Sequence, residues 1–579
     1  MIDKYAVKFK DQCTPPNLLV ITFFFSLYAF TQTLIFGSRF GANDDFVMSQ
    51  LANGGFTGEA SKYLLFINVI IGHVLSFCYQ IVPGVQWYSL FQVLSMAFAC
   101  AVFTCSGVFK LGVFNLGSRS IRMFFALVLF VVMCSQFMAW VFSINYSTTA
   151  YFCSTLGCLS LLLSARVKPS SIAFAPIVVC FLGFLWRPQA FISVVPVFLV
   201  VLLFQIRIVS IKSIFKNISC LTLLLLAASF FDRWTYVSSS KWKDFYFYNS
   251  LRGKVHGNSV FELMVEQVGV SEIAKTINTP AINLRFFGQW FYSTTTTTAQ
   301  SLEHAVRLIG EDTVISELRL GRIALSQTIG ISLVVAPLVV FILLLKAKRK
   351  APLVVSISSI VFYLVFAESY LGQFIRLPSY VIEGLRFSSI FGLLAVLMFG
   401  PHNDSHAVDT SRVFRVLLLV LFLPFALYAN HLIGTLPDNS SSSNRNHEQF
   451  IVDAKLIQQS LSVTAIDLTE SFDPSILSPW SNFKLTSLSL IPVGWITSSP
   501  AVNERLNYFG VFEELDTAMI SGKISVLSLR DSLTLQMLSD YLNVNYAVCG
   551  TWNTDSKTSL PHHFVLSDFK ESEECVSAS

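Results

Sequence analysis

The chain has 579 residues, a net charge of +5 and a mean hydropathy of +0.61, with 53% hydrophobic and 13% charged residues. Soluble domains carry roughly 25% charged residues, so this composition excludes an ordinary soluble protein. Many apolar runs approach the roughly 20 residues that cross a bilayer, which predicts a polytopic α-helical membrane protein. We expect no nucleic-acid partner.

Eleven apolar runs are candidate membrane spans. They are residues 17–37, 88–109, 121–142, 146–164, 170–186, 189–206, 214–231, 323–345, 353–370, 384–400 and 412–432. Another run, 61–82, is also apolar but carries Asn68, His73 and Gln80. The cysteines are scattered without metal-ligand spacing, so they are interpreted as small core residues and not as a metal site or a disulfide framework.

Basic residues indicate the orientation of these spans, since cytoplasmic loops carry an excess of Lys and Arg. Five basic clusters share one side if the spans from residue 88 onward alternate, and they lie at 110–122, 166–168, 207–216, 346–350 and 412–415. The lysines at 4–10 lie on the same side of the membrane as these clusters if 61–82 stays at the interface or re-enters. We therefore expect about eleven crossings, a cytoplasmic N-terminus and an extracytoplasmic C-terminus. If 61–82 crosses once, the N-terminus and the first loop change sides.

Two domains are predicted. Residues 1–432 form the transmembrane domain, with outer loops at 38–87 and 232–322. Residues 433–579 begin with a Ser/Asn-rich linker and continue as a small extracytoplasmic α/β domain, because predicted helices and strands alternate there. The predicted elements are helices at 450–460, 501–509 and 532–542 and strands at 462–468, 524–529 and 546–549.

An acidic pair directly follows the first apolar run, in Gly41-Ala42-Asn43-Asp44-Asp45-Phe46. Carboxylates at the mouth of a span are costly against lipid, and in a water-filled cavity they usually mark a functional site. We interpret Asp44 or Asp45 as the base for a sugar acceptor, with the neighbouring carboxylate raising its proton affinity. The alternative is that the pair solvates the loop and caps a helix starting at Phe46. A divalent metal on the pair is an open alternative, without another obvious ligand set.

Arginines on the outer side are candidates for binding a phosphate. Arg187 lies between two apolar runs, and the expected topology places it on the outer side, against the positive-inside trend. An arginine can hold a lipid phosphate bidentately. Its alternative partner is a loop carboxylate such as Asp232 or Glu368. Further substrate-binding candidates with the same alternative are Arg252, Arg376 and Arg386.

Aromatic residues cluster near the start of 232–322, and Trp242 and Tyr248 are among them. Aromatic rings of this kind stack on sugars, so both residues are candidates for binding the substrate. The alternative is an interfacial belt at the membrane edge.

These features resemble the GT-C superfamily of glycosyltransferases, and the pattern is similar to the bacterial aminoarabinose and protein O-mannosyl transferase branches. Asn43-Asp44-Asp45 matches the acidic motif of the first outer loop, 61–82 matches the interfacial helices, and Arg376 or Arg386 matches the phosphate-contacting position. The resemblance implies an undecaprenyl-phosphate-type sugar donor and inversion at the sugar carbon. It leaves the sugar and the acceptor open, because the Lys-Pro-Pro-Leu segment of the aminoarabinose branch is absent and Phe46 stands where many members have Glu or Tyr.

The sequence therefore predicts a glycosyltransferase of the bacterial plasma membrane. It moves a sugar from a polyprenyl-phosphate carrier to a cell-envelope glycan, lipid or protein acceptor on the outer face. Asp44 is the expected base with Asp45 in support, and Arg187 and Arg386 are the expected phosphate ligands. The nearest alternative is an O-antigen polymerase or ligase, which depends on outer-loop Arg and His. A transporter or flippase for lipid-linked sugars and an inactive scaffold are alternatives of other classes.

Overall fold

The computed structural model describes most of the chain between residues 15 and 571. The described residues are 15–108, 119–165, 174–205, 210–288, 293–311, 358–361, 363–364, 367, 378–399, 463–467, 478–487, 489–527, 532–554 and 563–571. They are mostly helical, and their apolar helices indicate a membrane-embedded protein. The predicted spans 323–345 and 412–432, most of 353–370 and the Ser/Asn-rich linker lie outside the described residues.

The described helices before residue 400 form the first part of the structure. They are α1 Pro15–Phe36, α2 Asn43–Ala52, α3 Val69–Ile81, α4 Trp87–Phe103, α5 Arg119–Phe142, α6 Tyr146–Ser164, α7 Ala175–Trp186, α8 Pro188–Gln205, α9 Ile211–Val237, α10 Trp242–Val255, α11 Ser259–Val268, α12 Val270–Thr276, α13 Ala281–Gly288, α14 Ala299–Glu311 and α15 Ser379–Phe399. A π-helical turn, Thr104–Val108, continues α4.

Within the described part of the chain, four helices are long and apolar enough to cross a bilayer: α1, α4 with the start of its π-helical turn, α6 and α9. Nearly every side chain of α6 is buried, whereas α1 and α9 leave most of theirs exposed. The central helix α6 packs against α4, α7, α8 and α15. With 12 residues, α7 rises only about 18 Å, which is short of the roughly 30 Å hydrocarbon core.

The ambiguous run 61–82 forms the short helix α3. At its N-terminal end, the N–H of Val69 donates to Oδ1 of Asp232, near the end of α9, at 2.7 Å. Near its C-terminal end, Oη of Tyr79 accepts the N–H of Tyr88, in the first turn of α4, at 3.1 Å. The two ends of α3 therefore contact the last turns of α9 and the first turn of α4.

Two short parallel strands hold the first loop against the start of α6. Strand β1, Arg39–Phe40, pairs with β2, Ser143–Ile144, with Arg39 opposite Ser143. The next residue, Gly41, donates its N–H to the carbonyl of Ile144 at 2.7 Å. A Cβ on Gly41 would lie 2.9 Å from Oγ of Ser143, so the close approach requires glycine. The C-terminal ends of α1 and α5 meet here.

The C-terminal region contains a five-stranded mixed sheet, ordered β4-β3-β5-β7-β6. The strands are β3 Val463–Asp467, β4 Leu490–Val493, β5 Ile524–Leu527, β6 Val548–Thr554 and β7 His563–Glu571, and the helices are α16 Pro500–Tyr508, α17 Leu515–Ile520 and α18 Ser532–Tyr546. Strands β3, β4 and β5 run parallel, whereas β7 is antiparallel to β5 and β6. The sequence pattern does not predict β4, β7 or α17, and the predicted helix 450–460 lies outside the described residues.

The C-terminal region packs directly on the first loop. Gln50 of α2 accepts the N–H of Leu485 at 2.9 Å and donates its amide to the carbonyl of Phe483 at 3.0 Å. Ser89 of α4 donates to the carbonyl of Pro479 at 2.8 Å. The stretch that precedes β4 therefore covers the helix that carries the acidic pair.

Arg505 of α16 also links the two regions. Its side chain is fully buried, and its guanidinium donates to the carbonyl oxygens of Gly55, Phe56, Leu485 and Leu490. Burial lowers the pKa of Arg505 to about 10, so the group still carries its charge at neutral pH. One side chain thus joins the first loop to the sheet.

We expect Arg505→Met to destabilise the protein by about 3–5 kcal/mol, because four buried carbonyl groups lose a charged donor. The measurement is the thermal unfolding midpoint of the purified protein in detergent. Arg285→Met, at an exposed arginine of α13, is the matched control. Equal midpoints for the two variants would contradict the role assigned to Arg505.

Candidate functional site

The acidic pair lies in the first turn of α2. This helix begins at Asn43 and not at Phe46, and its N-cap residue Ala42 makes no side-chain hydrogen bond. The N-terminal end of a helix favours negative charge. Asp44 is half-buried and Asp45 is fully buried. The alternative in which the pair solvates the loop and caps a helix starting at Phe46 therefore does not describe Asp45.

Asp45 joins three elements of the bundle. Its Oδ1 accepts the hydroxyl hydrogen of Tyr88, on α4, at 2.8 Å and the N–H of Tyr146, on α6, at 2.9 Å. Its Oδ2 is buried and has no hydrogen bond to any described residue. Burial raises the pKa of Asp45 well above its ordinary value; the hydrogen bonds from Tyr146 and Tyr88 oppose this effect, and the charge of Asp44 adds to it.

The raised pKa of Asp45 makes stability depend on pH. A carboxyl group whose pKa is higher in the folded state contributes its full stability below about pH 4, and this contribution is lost as the pH rises towards the folded-state pKa. Asparagine cannot ionise, and its Oδ1 can accept the same two hydrogen bonds. We therefore expect Asp45→Asn to gain stability relative to the wild type as the pH rises, by up to about 1.4 kcal/mol per pH unit.

The check on Asp45 is a series of thermal unfolding midpoints for both proteins between acidic and neutral pH. The difference between variant and wild type should move in favour of Asp45→Asn as the pH rises. A difference that moves the other way would mean that the buried group is stabilised as a carboxylate.

Arg187 lies at the break between α7 and α8. A residue before proline is kept out of the helical conformation, and Arg187 is extended (φ −159°) before Pro188 starts α8. Its guanidinium donates to Oγ of Ser147 and lies 5.4 Å from the ring centroid of Tyr146. These contacts bring the arginine to the start of α6, where Asp45 is also bound.

Tyr380 is a further neighbour of the Arg187 guanidinium. It lies in the first turn of α15, and its ring centroid lies 5.8 Å from the guanidinium carbon of Arg187. The close approach of α15 to α6 depends on Gly384, because a Cβ there would lie 2.1 Å from the ring of Tyr151. A larger residue at position 384 would push Tyr380 away from Arg187.

The five residues that meet here are called the acid–arginine cluster: Asp44, Asp45, Tyr146, Arg187 and Tyr380. Tyr146 and Tyr380 each interact electrostatically with Asp44, Asp45 and Arg187. The structure therefore brings together three residues that the sequence singles out, Asp44, Asp45 and Arg187. Of the alternative partners of Arg187, Asp232 binds the N-terminal end of α3 instead, and Glu368 lies outside the described residues.

The three substrate-binding candidates of the loop 232–322 are residues of α10. Trp242 and Tyr248 are buried, and the ring of Trp242 stacks on Tyr63 with centroids 4.9 Å apart. Arg252 is also buried, and its Nε donates to Oδ1 of Asn249 on the same helix at 2.9 Å. These side chains contribute to the packing of α10, and the two aromatic rings do not form an open surface for stacking on a sugar.

Two arginine candidates remain, Arg386 and Arg376. Arg386 is exposed on α15, six residues after Tyr380 and so about 240° further around the helix. Its side chain therefore leaves α15 on a different face from Tyr380. Arg376 lies outside the described residues.

Sequence reasoning misses the tyrosines of the cluster and Tyr88. A local signal marks one of them: Asn145 caps α6, accepting the N–H groups of Ser147 and Thr148, and so places Tyr146 at a helix start. The other contacts join residues far apart in the chain, and periodicity carries no information about them.

The cluster can act as a base and as an anion-binding group. A half-buried carboxylate, Asp44, and a partly buried guanidinium, that of Arg187, each interact electrostatically with the phenol groups of Tyr146 and Tyr380. Among the described residues, no three His, Cys, Asp or Glu side chains are grouped so that they could hold a metal ion. Comparison of the chain with protein-family models, with curated proteins and with solved structures finds no match.

Proposed function

We propose that the chain is a membrane glycosyltransferase that transfers a sugar from a polyprenyl-phosphate carrier to a hydroxyl acceptor. The observation that carries this proposal is the acid–arginine cluster, in which Asp45 accepts the N–H of Tyr146, Arg187 donates to the adjacent Ser147, and Asp44 and Arg187 both interact electrostatically with Tyr380. Transfer from a phosphate needs a base for the acceptor and a cation for the leaving group, and the cluster contains both.

Asp44 is the base in this proposal. Asp45 is fully buried and its Oδ1 is held by Tyr88 and Tyr146, so it positions the start of α2. Asp44 keeps part of its surface exposed. Its carboxylate takes the proton from the acceptor hydroxyl, and the acceptor oxygen forms a bond to the anomeric carbon from the face opposite the phosphate. The carbon–oxygen bond to the phosphate breaks, its electron pair stays on the phosphate, and the sugar carbon is inverted.

Arg187 holds the phosphate in this proposal. Its guanidinium can donate several hydrogen bonds in a plane, which matches the oxygens of a phosphate. Ser147, Tyr146 and Tyr380 hold the side chain in place before the donor arrives. As the leaving group gains negative charge, a preorganised cation stabilises the transition state more than the ground state.

The proposed membrane arrangement places the cluster on the outer face of a bacterial plasma membrane. The N-terminus is cytoplasmic, about eleven spans cross the bilayer, and α3 lies at the interface without crossing. The contacts of both ends of α3 with the last turns of α9 and the first turn of α4 support this assignment. The C-terminal region is then extracytoplasmic, above α2, and the acceptor is a glycan, lipid or protein of the cell envelope.

The test is an assay of the purified protein in proteoliposomes with a panel of polyprenyl-phosphate sugars. The expected result is release of free polyprenyl phosphate together with a glycosylated acceptor, both dependent on Asp44. Movement of the labelled lipid-linked sugar across the bilayer without release would favour a flippase. Turnover that persists in Asp44→Asn would favour an enzyme of the O-antigen polymerase or ligase type.

A further inference from the structure

Two large aromatic side chains stand out on the surface of the C-terminal region. Tyr508, the last residue of α16, is 60% exposed, and Phe512, four residues later, is 82% exposed. Exposed aromatic side chains that adjoin other apolar surface mark a site of contact with a membrane or with another protein. The helix that ends at Tyr508 also carries Arg505, which links the region to the first loop.

The peripheral helix α9 carries a continuous exposed apolar stripe. Its members recur at helical spacing along one face: Leu223, Leu226, Phe230, Trp234 and Val237. Since α9 is long and apolar enough to cross a bilayer and buries few of its side chains, this stripe faces lipid. The stripe ends at Val237, where α9 itself ends.

An ion pair places α16 beside the end of that stripe. Nζ of Lys241, four residues after Val237, lies 2.6 Å from Oε1 of Glu504. Glu504 and Tyr508 are one turn apart on the same face of α16, a rise of about 6 Å. The pair is exposed and contributes little to stability, but it shows that α16 lies close to the C-terminal end of α9.

The end of α9 also has the residues of a membrane–water interface. Trp234 is exposed together with Arg233, Lys241 and Lys243. Tryptophan and basic side chains at the end of a span are typical of the headgroup level, where the ring and the charge each find a suitable environment. Tyr508 and Phe512 therefore lie close to the level at which the headgroups begin.

We propose that Tyr508 and Phe512 insert into the headgroup region of the bilayer beside α9, so that the C-terminal region is held to the lipid surface as well as to the first loop. Side chains at such an interface lie about 5–10 Å into the headgroup and acyl boundary. The lipid contact would keep α16, and with it Arg505, in a fixed position over the loop that carries Asp44. The proposal does not depend on the reaction that the cluster performs.

The experiment uses the full chain in phosphatidylcholine nanodiscs, with an environment-sensitive fluorophore attached at Phe512→Cys. Emission is measured with a nitroxide-bearing phosphatidylcholine and, separately, with aqueous iodide. We expect the lipid-borne nitroxide to lower the emission roughly two-fold and iodide to have a small effect, as for a side chain at the headgroup level. Labelling of the parent chain without the added cysteine is subtracted.

The matched control is the same label at Gln536→Cys, an exposed polar position on α18, which calibrates the response to iodide. Strong quenching of the label at 512 by iodide, without quenching by the lipid, would overturn the proposal. Shielding of that label from both quenchers would overturn it as well, because it would show that a protein surface covers the two aromatics. Since Phe512 is 82% exposed, the cysteine leaves the packing of the region intact.

Discussion

Asp44→Asn is expected to lower the rate of sugar transfer by about 10²–10⁴-fold, the usual contribution of a positioned general base. The amide has nearly the shape of the carboxylate but cannot take the proton of the acceptor hydroxyl. Because Asp44 is half-buried and Asp45 makes the contacts to Tyr88 and Tyr146, the variant should keep the fold. The measurement is the turnover number at saturating donor and acceptor.

Asp244→Asn serves as the control for that result. Asp244 is an exposed carboxylate in the first turn of α10, away from the acid–arginine cluster, so the same chemical change should leave turnover unaltered. Equal loss in both variants would indicate a general effect of charge, and full activity in Asp44→Asn would remove Asp44 from the reaction.

Arg187→Lys is expected to raise the KM for the lipid-phosphate donor at least about tenfold and to lower kcat, and Arg187→Met to lower kcat/KM by about 10²–10³-fold. Lysine keeps the positive charge but loses the planar fork that binds two phosphate oxygens and the packing against Tyr146 and Tyr380. The measurement is the steady-state dependence of the rate on donor concentration.

The same substitutions at Arg233, an exposed arginine near the end of α9, provide the comparison for Arg187. These variants should retain the wild-type KM for the donor. If Arg187→Lys retains it too, the role of Arg187 is confined to holding α7, α8 and the start of α6 together. Thermal unfolding midpoints of all the variants separate a folding defect from a loss of binding.

Several helices of the bundle coincide with apolar runs that the sequence shows, although the bounds of some differ, as for α7, which begins at Ala175 and not at residue 170. The run predicted at 146–164 coincides with α6, which starts after its cap at Asn145. The break at Arg187 follows from Pro188, which ends one helix and begins the next. The polar residues of 61–82 likewise mark a helix that differs from an ordinary span, and the structure limits it to Val69–Ile81.

The geometry of the site depends on contacts that no local pattern specifies. Asp45 and Tyr88 are 43 positions apart, and Asp45 and Tyr146 are 101 apart. The physical reason to assign the base to Asp44 and not to Asp45 is therefore the difference in burial between the two side chains, which the sequence does not show. In the same way, Trp242 and Tyr248 have the composition of a sugar-stacking surface, but their burial on α10 assigns them to packing.

The link between the C-terminal region and the first loop is equally invisible in the sequence. Arg505 reaches Gly55 and Phe56 across about 450 positions, and Gln50 reaches Phe483 across a similar interval. Such contacts make the loop that carries Asp44 part of one packed unit with the sheet. A disturbance at α16 is therefore expected to reach the site through the backbone of residues 50–56.

Native mass spectrometry with undecaprenyl phosphate measures whether the acid–arginine cluster binds a lipid phosphate, as we propose. The wild type and Arg233→Met should each retain a bound molecule of the lipid when released from detergent, and Arg187→Met should lose it. Retention of the lipid by Arg187→Met at the wild-type level, or failure of the wild type to bind it, would show that the cluster does not bind the lipid phosphate.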